Sequence, residues 1–349
     1  MKLFPILLIV LTITGSLIAY DLPPIKELPF EALPTKPLSP KDNPTTKVKI
    51  ELGKQLYFDP RLSIDGTVSC NSCHHVFGSG TDNRALSIGV RAQKGGRSSP
   101  TVFNAAFYSV QFWDGRANTL EDQAKGPLTN PIEMGMPDHA SVVNRLMTIP
   151  GYVESFDQVF GKAQLNIDNV AKAIAAFERT LITPSPFDQF LQGNRNALND
   201  SQKKGLATIL EVGCTSCHNG LLMNGPEMPI GEAAWQKFPT FTDSEYVQKY
   251  DLLKDKGRAD ATKNEEDAHF YRVPTWRNIS LTAPYFHNGS VKSLEEAVRV
   301  MAKVQLNKTI TDEQVQSIVA FLGSLTGELP KMTLPKLPPT SGTSLVGND

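Results

Sequence analysis

The chain has 349 residues, with 35 Lys and Arg against 36 Asp and Glu, and four cysteines. A formal charge of −1 excludes the basic excess with which a nucleic-acid binder neutralises phosphates. The length suits about two domains of ordinary size.

Met1-Lys2 is followed by a largely apolar run and a small residue at Ala19, the layout of a secretory signal. The reading is a signal peptide over 1–19 and export to the periplasm; an uncleaved single anchor is the alternative, since the run is near the lower limit for a span. Residues 20–45 carry a proline every few positions, which rules out a helix and predicts an extended arm on the surface or a disordered one.

From 46 onward the apolar spacing is helical. Val48, Leu52 and Leu56 recur at i, i+4, i+8 and lead into "CNSCHH" at 70–75. A long loop is expected from 75 to 135. Val170, Ile174, Phe177 and Leu181 then mark another helix, closing a first domain at 184. The segment "DSQKKGLATILEVG" at 200–213 leads into "CTSCH" at 214–218, followed by a second long loop from 219 to 275. Ser293 with Glu296 and Thr311 with Gln314 read as capping boxes opening two helices. The second domain spans 185–330, and a Pro-rich flexible tail follows over 331–349. No sustained period-two alternation is present, so the fold class is mainly α, with long loops.

The cysteines decide the chemistry. Four in an exported chain would ordinarily suggest disulfides, but Cys70, Cys73, Cys214 and Cys217 all fall in C-x-x-C-H, the attachment signature of c-type haem. Two thiols three residues apart share one face of a helical turn, where they can add to the two vinyl groups of one porphyrin. The next residue, His74 or His218, then offers an imidazole to the iron, and two such sites make the plan two cytochrome c-like haem domains with long loops. A zinc ribbon would want its pairs some 15 to 20 residues apart, and a thioredoxin-like pair would not need His twice over. His75 directly follows His74, lies on the same side of the porphyrin and cannot be the sixth ligand; it meets a haem edge or solvent.

Beyond these motifs, "GGRSSPTVFNAAF" (95–107), "FWDGRANTLEDQAKGPLTNPIEMG" (112–135), "WRNISLTAPYFHNGS" (276–290) and "SLEEAVRVMAKVQ" (293–305) give the chain a resemblance to the bacterial dihaem cytochrome c peroxidases over roughly 45–330. The resemblance implies that a first haem, on His74, reduces hydrogen peroxide, while a second, between His218 and Met301, supplies electrons. It implies that Glu133 shuttles a proton between the peroxide oxygens, a role that suits a carboxylate. Gln123 would hold the peroxide, and Trp113 would stand between the haems. Met134 and Met136, in the loop by the first haem, are weaker ligand candidates than Met301. A calcium ion between the domains is implied on Thr282, Pro284 and Ser98, where Ser98 replaces the usual Asn. The implied donor is a small cytochrome c or copper protein, and a homodimer is possible.

One departure stands out. Many relatives carry a histidine in the loop "SIG-His" that blocks the peroxidatic iron until the second haem is reduced; here "SIGVRAQKGG" puts Val90 there, which has no lone pair to give. The first iron is therefore expected to stay open, without reductive activation, unless another loop residue such as Lys94 swings in. Two rivals remain: a dihaem maturation enzyme, similar to the maker of the methylamine dehydrogenase cofactor, that oxidises a partner's tryptophans, and a non-catalytic dihaem electron carrier. Met301 and Glu133 favour the peroxidase over the first.

Overall fold

The computed structural model describes residues 22–340; the signal read at 1–19 and the end of the tail lie outside them. Twelve α-helices and one two-stranded ribbon are present among the described residues. In the first half these are α1 (Lys47–Phe58), α2 (Cys70–Cys73), α3 (Leu120–Thr129), α4 (His139–Met147), α5 (Pro150–Phe160) and α6 (Ile167–Glu178). In the second half they are α7 (Pro186–Leu191), α8 (Asp200–Val212), α9 (Glu245–Lys249), α10 (Ala259–Thr262), α11 (Leu294–Leu306) and α12 (Asp312–Gly323). Strands β1 (Trp235–Lys237) and β2 (Phe270–Arg272) pair antiparallel.

Each half is built on one tight helix pair that carries its Cys-x-x-Cys-His motif. In α1 the small residue Gly53 lets α6 approach so closely that a Cβ would come within 1.8 Å of the Ala173 carbonyl oxygen. In α8, Gly205 admits α12 likewise, with 1.9 Å to the Ser317 carbonyl oxygen. Around the first pair Leu52, Leu56, Val170, Ile174 and Phe177 are buried in one core; Leu206, Ile209, Ile318 and Phe321 belong to a second. Val48, expected in the first core, is exposed: α1 turns Leu52, Gly53 and Leu56 toward α6 and leaves that first-turn position in solvent.

Both expected long loops contain regular structure. The first holds α3, capped by the Thr119 side chain on the Asp122 N–H; the second holds the ribbon and two short helices. The Thr311–Gln314 capping box forms. At Ser293 only half of one does, because the Glu296 carboxylate is taken by Lys249 and Tyr250 from α9 instead.

The arm is not a loose linker. Leu28 and Phe30 are buried in the second core and Leu33 in a small cluster between the halves. Its backbone is tied by Leu33 N–H to the Asp188 carboxylate (2.7 Å) and by Glu31 O to Arg277 (2.9 Å). Arg277 and Asp188 form a 2.9 Å ion pair with side-chain exposures of 0% and 3%. The tail crosses the other way: Leu329 and Met332 pack on the first core, and Lys336 O accepts from Gln55. Prolines forbid a helix in either segment, yet the apolar residues between them still seek burial.

Candidate haem sites and a peroxide pocket

In α2, the Ser69 N–H donates to the Ser72 hydroxyl (3.0 Å) and the His74 N–H to Cys70 O (3.0 Å), so both thiols leave one turn and the imidazole follows at its end. His74 Nδ1 lies 2.9 Å from Pro100 O. A carbonyl oxygen only accepts, so Nδ1 carries the proton and Nε2 keeps its lone pair. Burial holds the ring below its ordinary pKa, hence neutral. The second motif repeats this: His218 N–H donates to Cys214 O (3.1 Å), and Nδ1 lies 2.9 Å from Met223 O. Burial depresses His218 to about 4, and its ring stacks on Trp276 at 4.3 Å.

These donor sets fit haem and not the alternatives. No disulfide joins any of the four cysteines, and burial pushes the Cys73 and Cys214 thiols up to about 11. Among the described residues no group of three or more His, Cys, Asp or Glu could hold a metal ion, so neither pair has the further ligands a zinc site needs. A neutral imidazole fixed through Nδ1 is the form that binds iron.

Above His74 opens a cavity of about 460 Å³ lined by Cys70, Cys73, Gln123, Glu133, Trp113 and Arg272 among others. The sequence thus brings together here every residue assigned to peroxide chemistry. Glu133 follows α3 in a turn closed by Glu133 N–H to Asn130 O (3.1 Å) and Gly135 N–H to Asn130 O (2.9 Å). Asn130 Nδ2 also donates to Glu133 Oε1 (3.0 Å). Burial raises the Glu133 pKa, opposed by the nearby Arg116 charge. Gln123, on α3, makes no side-chain hydrogen bond among the described residues, which leaves its amide for a ligand.

Val90 is 1% exposed, packs against Gly135 and Ile64, and donates its N–H to Glu133 O (2.9 Å). The position at which the resemblance implied a histidine is thus buried, while Arg91, Ala92, Gln93 and Lys94 after it are exposed. His75 is exposed, beside Phe77. Met134 and Met136 are 3% exposed and belong to the first core.

Trp113 lines the first cavity and packs on the second core, with Nε1 donating to Ser98 O (2.8 Å). Met301, half-buried on α11, packs on the same core as Cys214. Ser98 donates its N–H to His287 O (2.7 Å), in the segment that follows Thr282 and Pro284. Asn83, which sequence reasoning missed, donates to Leu281 O and Ala283 O beside that turn (2.7 and 2.8 Å). Also missed were Asn130, Arg272 and Glu178, a cavity carboxyl that burial pushes up to about 8.

Among the described residues no helix is long and apolar enough to cross a membrane. The profile of the family described as di-haem cytochrome c peroxidase matches residues 47–196. The chain is 43% identical over 323 residues to cytochrome c551 peroxidase of Pseudomonas aeruginosa, covering 90% of this chain and 89% of that one. It is 45% identical over 292 residues to cytochrome c551 peroxidase of Nitrosomonas europaea, covering 83% and 84%. A solved MauG-like protein associated with microbial copper homeostasis is similar in fold, with a TM-score of 0.72 at 28% identity over 89% of this chain and 96% of that one. With two haem-type motifs on paired helices and relatives matching along most of its length, the chain belongs to the di-haem cytochrome c peroxidase family of enzymes.

Proposed function

We propose that the chain reduces hydrogen peroxide to two waters, taking two protons and drawing two electrons one at a time from a small cytochrome c or copper protein. The observation that carries the reading is the single cavity in which Cys70, Cys73 and His74 face Glu133 and Gln123. When bound through the cysteines as haem c, the porphyrin iron supplies a site for a peroxide oxygen, and the second haem supplies electrons.

The chain's own residues do the rest. His74 holds a neutral ring, protonated at Nδ1, whose Nε2 would bind the iron. Glu133, its Oε1 held by Asn130, takes the proton from one peroxide oxygen and returns it to the other, which leaves as water. The Gln123 amide hydrogen-bonds the peroxide. With Val90 fixed in the core, no imidazole from that loop competes with peroxide, so turnover needs no prior reduction. A second haem would be held by His218, and Met301 would offer it a thioether, a ligand type that raises the potential as an electron store requires.

Trp113, packed between the two sites, lies on the route by which electrons cross. Calcium on the carbonyls of Thr282 and Pro284 with Ser98 would suit hard oxygen donors. Export to the periplasm rests on the segment 1–19, and a second copy of the chain is a further partner. The test is steady-state peroxide reduction with a reduced small cytochrome. Glu133→Gln should lose about 10²- to 10⁴-fold in kcat while retaining its haem; an unchanged rate would sink the assignment.

A further inference from the structure

The first cavity contains a cationic donor that no described residue satisfies. Arg272 ends β2, in the second domain, and reaches across to the first. Its N–H donates to Trp113 O (3.1 Å), its Nε to Phe112 O (2.7 Å), and its guanidinium carbon lies 3.9 Å from the Tyr108 ring centre. The residue is 4% exposed and lines the cavity, and Nη1 has no hydrogen-bond partner among the described residues. A guanidinium keeps its charge even when buried, so an unpaired Nη1 cannot be relieved by losing a proton.

The neighbouring charges are already spent. Arg97 binds Asp114 and Asp255, and Arg116 binds Asp114 while stacking on Phe112. Glu133 is held by Asn130, and Glu178, whose Oε2 also lacks a partner among the described residues, is pushed by burial up to about 8 and so carries a proton rather than a charge at neutral pH. The acceptor for Arg272 therefore comes from a ligand, and a guanidinium matches a carboxylate in shape and charge. A porphyrin fixed at its vinyl carbons to Cys70 and Cys73 presents its two propionates at the opposite edge of the macrocycle. The cysteines sit on a first-domain helix and Arg272 on a second-domain strand, and both line this one cavity.

We propose that Arg272 binds a propionate of the first haem, so that a charge from the second domain raises the electron affinity of the first iron. The proposal rests on the di-haem reading above. It also makes that affinity depend on how the domains dock, because Asp255 and Asp260 hold Arg97 across the same boundary.

The test uses the full-length holoprotein as wild type, R272Q and R272K, with haem counted per chain and each haem titrated spectroelectrochemically. With two haems per chain throughout, R272Q should lower the reduced-to-oxidised ratio of the first haem about tenfold at a fixed solution potential, as loss of a unit charge at about 10 Å in a medium of intermediate dielectric implies. The second haem should not move. R272K, which also loses the Phe112 bond but keeps the charge, should stay near wild type in ratio while its propionate bending mode shifts in resonance Raman. An unmoved first haem in R272Q, a fall in R272K equal to that in R272Q, or an unshifted propionate mode would overturn the proposal. Wild type carrying fewer than two haems would instead sink the di-haem reading itself.

Discussion

Asn130 Nδ2 donates to Glu133 Oε1 at 3.0 Å, and Asn130 Oδ1 accepts the Ile132 N–H at 3.0 Å, so one side chain fixes both the turn and the carboxylate it presents. Asn130→Asp keeps the shape and the acceptor but sets a second carboxylate against the first, where like charge disfavours ionisation. Burial already raises Glu133, and the change adds to it. The expected result is an ascending limb of the kcat–pH profile moved up by about one unit or more, with haem content unchanged. A profile superimposed on wild type would remove Asn130 from the site.

Val90 bears on the resting state. Its side chain is core and its N–H is committed to Glu133 O, so swinging the loop over the iron would empty a packed niche and break that bond. Fully oxidised protein should therefore turn over peroxide without a lag, at the same initial rate as pre-reduced protein, and should show a high-spin ferric signal in electron paramagnetic resonance. A lag abolished by pre-reduction, with only low-spin signals at rest, would contradict this.

Arg277 and Asp188 stabilise the seat of the arm. Arg277→Ala leaves a buried carboxylate without its partner and releases Glu31 O and Leu221 O. Breaking such a pair costs about 3–5 kcal/mol. Urea unfolding should show the loss, and limited proteolysis should open the arm near Leu33; a loss below about 1 kcal/mol would mean the pair is merely tolerated.

Glu178 makes stability depend on pH. Folded, it keeps its proton up to about 8, whereas its ordinary value is 4.5. The native state thus binds a proton the unfolded chain has released, so this contribution is full below 4.5 and shrinks as pH rises to 8. Glu178→Gln should flatten the fall in unfolding free energy between those values by an amount on the order of a few kcal/mol. Parallel pH curves for the two proteins would show that the carboxyl is ionised in the fold.

Much of this molecule is legible in its residues alone. Ile174, Phe177, Leu206 and Ile209 carry their burial in helical spacing, and the two Cys-x-x-Cys-His motifs point to haem by their spacing alone. What escapes a reading of the sequence depends on partners distant in the chain. Glu296 completes no capping box because Tyr250 and Lys249 outcompete a local backbone N–H. The arm's prolines exclude a helix but are silent about where Phe30 and Leu33 find cover. Arg272 looks like any strand arginine until Phe112 and Tyr108 bury it, and Glu133 is legible only through the motif around it.

The crossing of the two ends has a consequence for biosynthesis. Phe30 packs edge-on against Phe187 of α7 and pairs with Gly220, and Leu28 shares their core with residues of α8 and α12, all of which leave the ribosome long after the arm itself. The earliest-made part of the described chain must wait unpaired until nearly the last has emerged. A protein severed between the domains would leave each fragment with a bare seat on its surface and a stray strap belonging to the other, so the halves of this molecule are not interchangeable modules but a single knot of dependence.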